Sequence, residues 1–191
     1  IYSSHQDLNL AKQLRSTIEH SMNPQSTNNF NNIIVLADQH QEKEFDYNKK
    51  DGILYLKVKE CYTYLSLKTE LMIKACSKLF DFDFMIKWDA STFDQKRCYS
   101  KVDSPEACMQ YINSKKFINK HYSSHLNALC NGAQSKAWFK NVKSKFFKVL
   151  QAEGRDLECE SFIPKQVPYY RGKFYIISNK FCDFISHSKE C

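Results

Sequence analysis

The chain has 191 residues, 42% of them hydrophobic and 14% aromatic, with a formal net charge of +7. That length suits one domain with a real core, and no run of eighteen apolar residues offers a membrane-spanning helix. The basic balance favours an anionic partner such as a phosphate, an acidic glycan, a lipid head group or nucleic acid, and singles out none of them.

Taken in order, "LNLAKQLRSTI" (residues 8–18) sets Leu10, Leu14 and Ile18 four apart with Ala11 beside them, one face of an amphipathic helix. "MNPQSTNNFNN" is rich in turn formers. "IIVLA" (33–37) is a short apolar run, as expected of a strand covered on both faces. The polar "DQHQEKEFDYNKKD" reads as a loop or a short helix, and "GILYLKV" (52–58) as a second strand. In "YLSLKTELMIKACSKLF", Leu65, Thr69, Met72, Cys76 and Phe80 fall at helical spacing. "FDFMIKW" (82–88) reads as a third buried strand, with Asp81 and Asp83 as its entry residues rather than a metal-binding pair. Strands alternating with helices predict an α/β layer around a mostly parallel sheet, with these three strands as neighbours. Ligands on such sheets bind beyond the carboxyl ends of the strands, where Asp38 and Asp89 stand.

Further on, "DSPEACMQYI" carries a helix start, with Ser104 as N-cap and Pro105 at the first helical position. "HYSSHLNALC" and "KAWFKNVKSKFFKVL" read as helices. The first would place His121 and His125 on one face near Cys130, which reads as surface histidines because no fourth zinc ligand is in sight. The second sets Trp138, Val142, Phe146 and Val149 against Lys136, Lys140 and Lys143, a core-packing helix with a solvated basic face, or a helix for a membrane or polyanion surface. "VPYYRGKFYIIS" is a loop entering an aromatic strand, and "NKFCDFISHS" a closing helix.

Eight cysteines, spread widely and without a C-x-x-C pair, argue against a compact zinc or thioredoxin-type motif. Their even number predicts at least two disulfides in an oxidising compartment, the alternative being buried thiols in the cytosol. The first residue, Ile1, fits a processed secretory protein or a trimmed chain. No N-glycosylation sequon is present.

Four stretches carry a resemblance. "FMIKWDAS" resembles the "hhhKxDDD" element of GT-A glycosyltransferases, with Lys87 at the lysine and Asp89 at the first acid. "ECYTYLSLKT" resembles "DxYxNLTLKT" through Tyr62, Leu65, Leu67, Lys68 and Thr69, and Asp51 sits where an acid opens the preceding strand. "VPYYRGKFYIIS" resembles "YPPYCSGGGYVLS" through Pro168, Tyr169, Gly172, Tyr175 and Ser178, and "LRSTI" echoes "IRxTW". These motifs, in this order, resemble the β-1,3-galactosyltransferase and fringe-like group, glycosyltransferase family 31.

The resemblance implies a GT-A-like (Rossmann-like) three-layer α/β sandwich with a mostly parallel central sheet. It would be one domain over residues 1–191, with a nucleotide-sugar-binding-like half (1–95) and an acceptor-side-like half (96–191). It implies a nucleotide-sugar site at Asp38, Lys68, Lys87, Asp89 and Lys173, with Asp89 as the remnant of a metal site. A transferase of this kind holds Mn²⁺ or Mg²⁺ between carboxylates and a diphosphate. Here Ala90 and Ser91 fill the other two acid positions, Lys173 and Phe174 replace glycines, and no acidic motif follows Ser178 up to Glu190.

The leading expectation is therefore a secreted, disulfide-bonded glycosyltransferase-like protein without metal-dependent catalysis, a binding or effector-type monomer whose partner is a protein, a glycan or an anionic ligand. No cofactor and no catalytic residue is assigned. Restored acids at positions 90 and 91 are expected to raise metal affinity. A second reading is an active transferase using a UDP-sugar and Mn²⁺; a third is a basic module for nucleic acid or anionic lipid on another α/β fold.

Overall fold

A computed structural model describes residues 1–21, 30–61, 64–93, 104–124, 127–129, 168–170 and 173–187. The predicted helix over "KAWFKNVKSKFFKVL" (136–150) lies outside them, as do His125, Gly172 and Glu190. The chain is mixed α/β. Its elements are α1 (Leu8–Ser21), β1 (Ile34–Ala37), β2 (Phe45–Asn48), β3 (Ile53–Leu56), α2 (Leu65–Leu79), β4 (Phe84–Trp88), a 3₁₀ turn (Ala90–Phe93) and α3 (Pro105–Asn113). Then come β5 (Tyr122–Ser123), β6 (Asn127–Leu129), β7 (Pro168–Tyr170), β8 (Phe174–Ser178) and α4 (Asn179–His187). Residues 127–170 form a compact unit of their own, in which β6 and β7 pair antiparallel. The remainder is the unit described below.

The helices follow their apolar spacing. α1 buries Ala11, Leu14 and Ile18, and α2 buries Leu71, Met72, Ile73, Ala75 and Cys76. The Ser104 side chain accepts from Ala107 N at 3.3 Å and caps α3, with Pro105 following it.

The expected mostly parallel central sheet is not what forms. β1 pairs parallel with β3, and β2 pairs antiparallel with the other edge of β3, a mixed sheet in the order β1-β3-β2. β4 joins a second, antiparallel sheet in the order β4-β8-β5. The reason is that β4 takes its ladder from β8, which returns along it with Trp88 opposite Phe174 and Phe84 opposite Ser178. Two local expectations fall with it. Phe45–Asn48 is a strand, joined to β3 by a turn that closes on Gly52 at φ +63°. "HYSS" (121–124) is no helix, because Tyr122 and Ser123 pair with Ile177 and Ile176 of β8 and the His121 carbonyl accepts from Ser178 N at 2.9 Å.

The segment before α1 links the two sheets. Tyr2 bridges Val35 and Asp89, parallel to both. Tyr2 N donates to the Trp88 carbonyl at 2.7 Å, and Ala90 N donates to the Tyr2 carbonyl at 2.9 Å. On the other side Val35 N donates to the Ile1 carbonyl at 2.8 Å, and Ser3 N to the Val35 carbonyl at 3.1 Å. Of the three strands expected side by side, β1 and β3 are neighbours, whereas β4 lies in the other sheet and is linked to β1 only through the bridges of Tyr2.

Two sets of side chains pack on the sheets. Val35, Ala37, Leu54, Leu56, Tyr175 and Ile177 meet α2 and Cys182 of α4. Phe174, Ile176 and Trp88 meet Leu14 and Ile18 of α1 and Cys108, Met109 and Ile112 of α3, and Ala11 covers Ile34, Leu36 and Ile53. No described helix is long and apolar enough to cross a membrane. Among the described residues no disulfide joins Cys61, Cys76, Cys108 or Cys182 to another of these four, so the disulfide-bonded part of the expected fold is not shown there.

Candidate functional site

The site lies where the Tyr2 bridge meets the carboxyl end of β4. Tyr2 is buried, and its hydroxyl donates to the Leu65 carbonyl at the start of α2 at 3.3 Å. Burial holds the phenol well above its ordinary pKa.

Two buried lysines converge on its ring. Lys68, one turn into α2, is 2% exposed. Its ammonium donates to the Ser3 carbonyl at 2.6 Å and to the Glu60 carboxylate at 2.8 and 3.1 Å, and stands 4.5 Å from the Tyr2 ring centroid. Lys87 comes from β4. Side chains alternate along a strand, so Lys87 faces Tyr2 and Tyr175 while Trp88 turns the other way, toward Phe174. The Lys87 ammonium is 4.5 Å from the Tyr2 centroid, 5.8 Å from that of Tyr175 and 3.6 Å from Asp89 Oδ2. Burial pushes both lysines below their ordinary pKa, and the facing carboxylates, Glu60 for Lys68 and Asp89 for Lys87, push back.

Asp89 is occupied on both oxygens. Oδ1 accepts from Ser91 N at 2.9 Å and opens the 3₁₀ turn, and Oδ2 faces Lys87. Its carbonyl accepts from Thr92 Oγ1 at 2.7 Å, and Thr92 Oγ1 in turn accepts from Trp88 Nε1 at 2.9 Å. The turn is therefore locked from both ends. Ala90 is wholly buried beside Ala11, Ile34, Leu36 and Ile53, so this position points into the core and not toward a ligand.

Of the residues expected at a nucleotide-sugar site, Lys68, Lys87 and Asp89 are brought together. Lys173 joins through its backbone, its carbonyl accepting from Asp89 N at 2.7 Å. Asp38 is not part of the group. Asp89 is level with Val35, and Asp38 stands three residues further, about 10 Å along the strand direction. Its carboxylate accepts from His40 N at 3.0 Å and closes a turn.

Tyr2 and Glu60 are the members that sequence reasoning missed. Tyr2 sits in no periodic segment and left no signal. Glu60 did leave one, since it stands at the acid position that opens the "ECYTYLSLKT" block.

Chemically the cluster is balanced: two ammonium groups, two carboxylates and a neutral phenol. A dication arriving at Asp89 would meet the Lys87 ammonium already there. Among the described residues, no three His, Cys, Asp or Glu side chains are grouped as a metal site. Comparison of the chain with protein-family models, curated proteins and solved structures finds no match.

Proposed function

We propose that the chain is a glycosyltransferase-like protein of the GT-A kind that has lost metal-dependent sugar transfer and works by binding, as an effector-type protein with a protein or glycan partner. The observation that carries this reading is the Lys87–Asp89 pair. Asp89 is the acid that the resemblance assigns to the metal, and its oxygens are engaged by an internal ammonium and by the Ser91 amide. Metal catalysis of phosphate departure needs carboxylates available to a hard cation. An ammonium held in their place neutralises the carboxylate but supplies no open coordination position.

The GT-A part of the reading draws support from strand order. β3, β1, the Tyr2 bridge and β4 run parallel in that sequence, as in one half of a doubly wound nucleotide-binding sheet, whose ligand crevice lies at the reversal of strand order. That reversal falls between Tyr2 and Asp89. A secreted or lumenal location belongs to the same reading and rests on the even cysteine count.

The test is calorimetry with UDP and common UDP-sugars, with and without Mn²⁺, alongside a turnover assay. The expected result is no Mn²⁺-dependent heat and no hydrolysis or transfer. Turnover by the unaltered protein that Asp89→Asn abolishes would overturn the reading and make the chain an active transferase.

A further inference from the structure

The turn after α3 and the outer face of α4 make a surface that is basic and apolar at once. Between Asn113 and Tyr122 stand three lysines, Lys115, Lys116 and Lys120, and no acid. All three are exposed, and among the described residues no carboxylate pairs with them. The turn is anchored through Phe117, which meets Phe84 edge-on at 5.1 Å, while its neighbour Ile118 is 50% exposed. On α4, Phe184 is 68% exposed, more than any other large apolar side chain among the described residues. It stacks on Phe181 with ring centroids 6.3 Å apart, and the Phe181 ring lies 6.3 Å from that of Tyr122. His121 Nδ1 and Ser178 Oγ are 2.9 Å apart, so the end of the turn abuts the start of α4.

We propose that this surface docks on an anionic membrane, with the lysines against the lipid head groups and Ile118 and Phe184 in the interfacial layer. The proposal uses no residue of the Tyr2 cluster and does not depend on a glycosyltransferase ancestry.

The placement of charge on α4 fits this occupant. Residues three and four apart on a helix are neighbours, so Phe184 is flanked by Lys180, Phe181 and His187. The one acid of α4, Asp183, stands instead beside Lys74 and Lys78 of α2. A lysine near a negative lipid surface gains electrostatic attraction, and an exposed ring that enters the interface leaves water. Charge of one sign with apolar side chains that protrude singly suits a fluid, negatively charged interface, which yields to each of them. A nucleic acid would engage the lysines but leave the aliphatic Ile118 in water.

The backbone of the turn adds a second observation. Lys115 follows the C-cap of α3, Ser114, and has φ +54°. Glycine is the ordinary residue at that left-handed position, because a side chain is strained there. The lysine is thus kept at a cost to stability, and its charge is what glycine lacks.

The experiment is co-sedimentation of the full chain with vesicles of phosphatidylcholine alone and of phosphatidylcholine mixed with phosphatidylserine, at low and high salt. A single-stranded oligonucleotide is a separate arm. Binding is expected to the mixed vesicles only, and to weaken at high salt. A Lys115→Ala, Lys116→Ala double variant should bind about 25-fold more weakly, about fivefold for each lysine. A Lys49→Ala, Lys50→Ala double variant removes the same charge from the turn between β2 and β3 and should change binding by less than about threefold. Phe184→Ser should weaken it by about tenfold. Lys115→Gly should weaken vesicle binding by about fivefold and yet raise the melting temperature, which separates loss of the surface from loss of the fold. No binding to the mixed vesicles, equal binding to both kinds, equal losses from the two double variants, or full binding by Phe184→Ser would each overturn the proposal. So would an oligonucleotide that binds through Lys115 and Lys116 where the vesicles do not, which would make the surface a nucleic-acid site.

Discussion

Lys68 and Lys87 hold their ammonium groups at the same distance, 4.5 Å, from the ring centroid of Tyr2. One comes from a helix and the other from a strand, and both are almost fully buried. Two like charges around one ring are tolerable only because each has its own carboxylate and the ring face is electron-rich. Tyr2, Glu60 and Asp89 are therefore required by the lysines as much as the lysines are by them.

Lys68→Ala should accordingly be among the more damaging single changes. It strips the Ser3 carbonyl and the Glu60 carboxylate of their donor and removes a cation from the Tyr2 ring. Breaking a buried pair from one side costs about 3–5 kcal/mol, and the partial exposure of Glu60, 32%, brings the expectation toward about 2–4 kcal/mol. Lys68→Arg should not restore it, since a planar fork does not reproduce a point donor aimed at a carbonyl and a carboxylate. Urea midpoints measure the loss, and a loss within about 0.5 kcal/mol, as for an ordinary surface site, would show that the cluster does not hold the fold.

At Asp89 two substitutions separate two roles. Asp89→Asn keeps an acceptor for Ser91 N but leaves the Lys87 ammonium without its counter-charge, an expected loss of about 1–3 kcal/mol. Asp89→Ala removes the turn-capping acceptor as well and should lose about 1 kcal/mol more. Mn²⁺ should leave the melting temperature of the unaltered protein unchanged. A rise with Mn²⁺ that disappears in Asp89→Asn would mean that metal displaces Lys87 and that the ion pair is not the resting partner of Asp89.

How far these features were legible depends on the range of the signal. α1 and α2 follow from apolar residues three and four apart, and β1, β3 and β4 from short apolar runs, because those patterns are local. β2 escaped because Phe45 and Tyr47 alternate with Asp46 and Asn48 over only four residues, inside a charged stretch. The mistaken parallel sheet has a different cause. β4 pairs with β8, some ninety residues later, and no local pattern records the direction of a partner so distant. Lys68, Lys87 and Asp89 could be singled out by motif, but not that they would turn to one another and to Tyr2 rather than to a ligand. A lysine's partner is a property of the packed fold.

Position 90 shows how that packing changes an expectation. From the motif, an acid at position 90 should add a metal ligand. In the fold the side chain of Ala90 has no solvent exposure and lies among Ala11, Ile34, Leu36 and Ile53. Ala90→Asp would put a carboxylate into that apolar contact with no partner, an expected loss of about 3–5 kcal/mol after relaxation. The protein should express poorly or unfold early, and it should gain no Mn²⁺ affinity. A folded Ala90→Asp variant that binds Mn²⁺ would place position 90 outside the core.

The alkaline side of the stability curve should be set first by thiols. Burial pushes the Cys76 thiol up to about 11 and that of Cys182 up to about 12, from an ordinary value of 9.0. The folded state then keeps protons that the unfolded chain gives up. This contribution is complete below pH 9 and is lost as the pH climbs toward the folded values. Its slope approaches about 1.4 kcal/mol per pH unit for each thiol. Tyr2 and Tyr175, also raised by burial, act in the same direction, but only above pH 10. Lys68 and Lys87 act the opposite way. Their folded pKa values are lowered, so the unfolded chain binds more protons and stability rises with pH between the folded values and 10.5. Comparing the protein with a Cys76→Ala, Cys182→Ala double variant isolates the thiol part. The packing lost in the variant is the same at every pH and so does not affect the slope, yet the variant should show a shallower decline between pH 9 and 10.5, by at least about 1 kcal/mol per pH unit. Urea unfolding at a series of pH values under reducing conditions gives the two slopes, and equal slopes would mean that these thiols titrate as freely in the folded protein as in the unfolded chain.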